Sequence, residues 1–189
     1  MTQRPTERQA LAVAGVLYLA AFPLYGGGQY LLQNEQPLAG LGLILGNSAV
    51  VVAIGLLLRP IIAVSSPMTA AVVLWGRVLE GLILASGPLA YVALAASPLA
   101  RSLNDASYNA GMIVLGAAGV VFSLWMLRTR PVPPVLAAMG VIGYVALAAA
   151  MVLERAGQMT LSGGLVAVAG IFEVVFAIWI IARGFRPRA

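Results

Sequence analysis

Six long apolar runs, separated by short polar or proline-containing breaks, make up almost the whole chain. They cover approximately residues 8–25, 38–58, 67–91, 108–127, 134–153 and 164–182. A hydrocarbon core roughly 30 Å thick takes about 20 helical residues to cross, so each run has the length of one transmembrane helix. The pattern predicts an all-α integral membrane bundle of six transmembrane helices, in a single domain over residues 1–189.

The breaks carry local signals. Thr6 and Gln9 have the spacing of a capping box ahead of the first run. Gly26, Gly27 and Gly28 are expected to release the chain into a loop holding Glu35 and Pro37. The second run stops at Arg59 and Pro60, and Ser66 followed by Pro67 is a favourable start for the third. Gly87 and Pro88 are expected to kink or end that third helix, and residues 101–107 read as a loop or a short interfacial helix. Gly42 and Gly46 have the spacing that lets helices approach closely.

Composition agrees with the pattern. Hydrophobic residues are 61% of the chain, charged residues 9%, and the mean hydropathy is +0.98, which a water-soluble core of 189 residues could not absorb. The net charge of +5 is that of eleven arginines against six acidic residues, with most of the arginines at the ends of apolar runs, and so reads as a topology signal and not as a nucleic-acid surface. With six spans, Arg4, Arg8, Arg59, Arg128, Arg130, Arg183, Arg186 and Arg188 fall on one side and only Arg101 and Arg155 on the other. The positive-inside bias then predicts a multi-pass protein of the inner (plasma) membrane with both termini cytoplasmic. Met1 heads the chain, so a cleaved signal peptide is not expected. Tyr25, Tyr91, Tyr108, Trp125 and Trp179 lie toward span ends and read as interface anchors.

The absence of His, Cys and Lys excludes haem on His or Cys, thiol chemistry, Cys/His zinc sites and a lysine Schiff base. No cofactor or metal is implied, and the partners expected are the lipid bilayer and a small lipophilic ligand. The oligomeric state is left open, since small-residue faces suit a dimer or a tight monomer equally.

Arg77, Glu80 and Glu173 are the exceptions to the apolar interior. Each lies inside a run, where an ionised side chain costs several kcal/mol unless it is paired or hydrated, so all three are expected to face the bundle interior. Arg77 and Glu80 are three residues apart and share one helical face. Counting along the spans puts Glu80, Glu173, Asn47, Tyr18 and Tyr144 near the same depth, forming one polar layer across five helices. Two carboxylates beside one guanidinium would leave one negative charge, so one Glu is expected to hold a proton. Glu80 and Glu173 are thus the candidate acid and base, with Arg77, Asn47, Tyr18 and Tyr144 as candidate ligand-binding groups. Ser123 is a weaker candidate, since serine commonly bonds back to its own helix. A Glu also stands near the middle of the third span of each half, the placement that two inverted three-helix repeats would give.

Arg8 with Gly15, Val16, Leu17, Tyr18 and Leu19, Arg77 with Glu80, and Phe172, Glu173, Trp179 and Gly184 together resemble a bacterial family of six-helix membrane proteins known as domain of unknown function 4386. The resemblance implies the six-helix plan and brings no activity. Four readings stay open at this point: a binding protein for a small lipophilic or amphiphilic molecule or a proton, a membrane enzyme using a protonated Glu on an apolar substrate (an isomerase or prenyl cyclase, for instance), a proton-coupled transporter, and a structural or regulatory subunit whose buried charges only hold helices together.

Overall fold

A computed structural model describes residues 5–34 and 36–185. It contains six helices: α1 Pro5–Gln33, α2 Pro37–Ala63, α3 Pro67–Ala93, α4 Pro98–Thr129, α5 Pro134–Arg155 and α6 Met159–Ala182. All six are long and apolar enough to cross a membrane, and no strand occurs among the described residues. The chain is a multi-pass membrane protein with the all-α plan read from its apolar runs.

Helices α2 to α5 each begin on a proline, whose missing N–H costs nothing in a first turn. Ser66 and Ser97 cap α3 and α4 by accepting hydrogen bonds from the backbone N–H of Thr69 at 3.3 Å and of Ala100 at 3.2 Å. Several local expectations fail. Gly26, Gly27 and Gly28 do not end α1, which continues to Gln33. Gly28 sits where a Cβ would come within 2.6 Å of Ile44 Cγ1, and Gly40 faces the Leu32 backbone, so these two glycines let α1 and α2 touch. Residues 101–107 are a continuous part of α4, and α3 runs through Pro88 to Ala93 with Gly87 set against Ser107 and Asn104. Gly42 and Gly46 have nothing within 4 Å of an added Cβ and therefore do not carry a close helix contact. Thr6 is already helical and is not the cap of α1. Arg4, Glu35, Arg186 and Arg188 lie outside the described residues.

Each helix packs chiefly against its neighbours in the chain, and α1 also packs against α6, so the six close into a ring. That closing seam is the least extensive of the six contacts. One end of it is tight. The Gly15 position leaves only 2.6 Å from a Cβ to Ile181 Cγ1 and 2.8 Å to the Ala177 carbonyl oxygen. There Arg8 donates to the carbonyls of Ile180 at 3.0 Å, Ile181 at 2.6 Å and Ala182 at 3.1 Å, adding to the backbone bond that Ile180 already accepts from Gly184 and tying α1 to the last turn of α6. The other end is loose, since a Cβ at Gly26, Gly163 or Gly164 would meet nothing within 4 Å.

Candidate functional site

Arg77 and Glu80 occupy one face of α3, and the sequence clears room for them. Gly76 precedes Arg77 and lies against Ala118 of α4, while Gly55 of α2 leaves only 3.0 Å between an added Cβ and Arg77 Cβ. Larger residues at either place would push neighbouring helices off the arginine stem. Both charged residues end up buried, at 6% and 2% exposure.

A chain of polar contacts crosses the ring at this level. Arg77 Nη1 donates to Glu80 Oε2 at 2.9 Å and Oε1 at 3.3 Å. Arg77 Nη2 donates to the Tyr18 hydroxyl at 2.9 Å, and the guanidinium carbon lies 4.9 Å from the Tyr18 ring centroid. Across the ring, Arg77 Nη2 stands 3.7 Å from Glu173 Oε1, an ion pair longer than a good hydrogen bond. The Tyr144 hydroxyl donates to that same Glu173 oxygen at 2.9 Å. Arg77 and Glu80, which share one helical face, are paired, and the arginine also faces the second carboxylate.

Asn47 of α2 lies in the same layer but outside this chain. It is 2% exposed, and its side-chain oxygen has no hydrogen-bond partner. A buried amide oxygen left unpaired costs about 1–3 kcal/mol, so it calls for an explanation.

A cavity of about 260 Å³ opens onto the layer and is lined from all six helices. Its polar surface comes from Arg77, Glu80, Glu173, Asn47, Tyr18 and two further tyrosines, Tyr25 and Tyr108. Glu173 keeps 15% of its side chain exposed, against 7% for Arg77 and 3% for Glu80, so it is the more accessible of the two carboxylates that line the cavity. Tyr144 is fully buried and is not part of the lining; it touches the cavity only through Glu173. Ser123 is buried near Gly140 and Phe172, away from the cavity, with its hydroxyl unpaired.

Tyr25 and Tyr108, expected as interface anchors, also line the cavity. Their rings stack with centroids 5.4 Å apart in the cavity wall. Tyr91 is 5% exposed and Trp125 is 5% exposed, the latter donating to Ser65 Oγ at 2.9 Å, so neither is a lipid-facing anchor. Trp75 is the tryptophan that faces outward, at 62% exposure. A signal for the missed residues was present, because Tyr18, Ala21, Phe22 and Tyr25 recur at helical spacing and all line the cavity.

The model of one protein family, described as "Domain of unknown function (DUF4386)", matches residues 35–184, most of the chain. The segment from Arg8 to Leu19 lies before the matched region. No curated protein and no solved structure matches the chain.

Proposed function

The chain belongs to the DUF4386 family, and from that premise we propose that it binds a small lipophilic or amphiphilic molecule at the membrane midplane, in the cavity between Arg77, Glu80 and Glu173. The observation that carries this reading is the unfilled space beside a polar layer: about 260 Å³ of cavity touching a half-used carboxylate and an unpaired buried amide. A network serving only to tie helices together is expected to be filled and satisfied, as the Arg77–Glu80 pair by itself is. A 150 Å³ apolar cavity accommodates benzene, so this one suits a compact organic body of about twice that size.

The two carboxylates divide the work. Glu80 neutralises Arg77 and fixes its orientation. Glu173, held by Tyr144, faces the space and is the group that meets a ligand or a proton. Mass spectrometry of small molecules extracted from the protein purified in mild detergent tests the reading. The wild type is expected to carry an apolar compound that an Ala169→Phe variant, with its cavity filled, lacks. Identical extracts from the two folded proteins would refute it.

The orientation is part of the same proposal. Among the described residues, Arg8, Arg59, Arg128, Arg130 and Arg183 lie at the end of the ring that holds both termini, and Arg101 and Arg155 at the other. This favours cytoplasmic termini in the plasma (inner) membrane. The chain has no cysteine, so single Val64→Cys and Ala156→Cys variants report the two sides directly. Labelling of intact cells by an impermeant maleimide is expected at residue 156 and not at residue 64.

A further inference from the structure

We infer that the ligand of this cavity is a lipophilic cation, a protonated amine on a compact hydrocarbon body. The inference rests on the cavity reading above and adds the ligand's charge. It starts from which polar groups still have capacity. Both terminal nitrogens of the Arg77 guanidinium, the cationic group of the layer, are engaged: Nη1 serves Glu80, and Nη2 serves Tyr18 and faces Glu173. An anionic head group would have to displace one of these contacts and approach two carboxylates.

The charged capacity still unspent is of the opposite kind. Glu173 is the most accessible charged group of the layer, and the Asn47 oxygen is an acceptor without a donor. Both line the same cavity, and both can accept from a ligand that donates. With one guanidinium and two carboxylates the layer sums to minus one when both acids are ionised, and a single cation or a single proton cancels it. An N–H donor that also carries charge answers both acceptors at once.

The walls agree with a cation. Phe22 and the stacked Tyr25–Tyr108 pair line the cavity, and aromatic faces attract ammonium groups within about 6 Å of the ring centroid. The same kind of contact already exists where Arg77 lies over Tyr18. The rest of the wall is aliphatic, from residues such as Val51, Ile54, Leu84 and Leu147, which suits a hydrocarbon body.

Three ligands with one body and different heads test this: 1-adamantylamine, 1-adamantanol and adamantane-1-carboxylate, titrated at pH 7.5 against the full chain in nanodiscs, with empty nanodiscs subtracted. The amine is expected to bind at least about tenfold more tightly than the other two. Glu173→Gln should bring the amine to within about twofold of the alcohol, while Glu173→Asp should keep the preference. Circular dichroism and gel filtration establish that each variant is folded; if Glu173→Gln is not, the wild-type ranking and Glu173→Asp still decide. Equal binding of amine and alcohol, or preference for the carboxylate, overturns the cation and leaves the cavity reading standing. No binding of any of the three, or binding unchanged in a Gly170→Trp variant that fills the cavity, overturns both.

Discussion

The two halves of this bundle, one toward the termini and one away from them, are made of similar apolar residues and are packed in opposite ways. Toward the termini, Phe122, Phe172, Phe176 and Phe185 form a continuous aromatic cluster with Trp125, with neighbouring centroids 5.7 Å to 6.4 Å apart. Four of the chain's five phenylalanines are spent there, and the fifth, Phe22, stands in the cavity wall. Away from the termini the same ring is hollow, and several of its glycines touch nothing. The polar layer joins the two halves. Tyr18 meets Phe176 edge-on at 5.6 Å on the filled side and lines the cavity on the other. Total hydrophobicity therefore does not explain the cavity. Where the large rings were placed does.

The largest effect is expected at the layer itself. Arg77→Met leaves Glu80 and Glu173 buried without a counter-charge, and breaking a buried pair from one side costs about 3–5 kcal/mol. Thermal unfolding in detergent should show that loss, and Arg77→Met combined with Glu80→Gln should recover most of it. A small effect for the single variant would mean that Glu80 and Glu173 both hold protons once the arginine is gone, so that no buried negative charge is left for a cation to meet.

The next effect tests the contrast between halves. Phe176→Ala opens a void in the filled half and is expected to cost about 2–3 kcal/mol, somewhat less than in a water-soluble core because the lipid reference is already apolar. Phe22→Ala, in the cavity wall, should cost less than about 1 kcal/mol and change ligand affinity instead. Equal costs, measured by the same unfolding assay, would remove the distinction between a solid and a hollow half.

That distinction was only partly legible in the sequence. Helix number and the Ser66–Pro67 start are local properties, set by lengths of apolar chain and by one cap, and they could be read directly. The convergence of Tyr18, Arg77, Glu80, Tyr144 and Glu173 was legible because ionisable groups in lipid have to face inward and helical rise fixes their depth. Gly28 and Gly42 look alike in sequence, yet only Gly28 meets a neighbour, because the contact depends on which face α2 turns toward α1. The stacking of Tyr25 on Tyr108 was hidden for the same reason: depth along a helix says nothing about rotation around it.

The smallest effect offers the sharpest comparison, since it lies within a single helix. Gly15 and Gly26 are both in α1, at the tight and the loose end of its seam with α6. At Gly15 a methyl would stand 2.8 Å from the Ala177 carbonyl oxygen, a backbone atom that cannot swing away. Gly15→Ala must then push α6 outward and loosen the Arg8 contacts at its end, costing about 1–3 kcal/mol. At Gly26 a methyl meets nothing within 4 Å, so Gly26→Ala gains only the helix preference of alanine, up to about 1 kcal/mol. Opposite signs in thermal unfolding are the expected result. A destabilising Gly26→Ala would indicate that the loose end closes onto α1 in the membrane, and the cavity would then have to be reached by opening that seam.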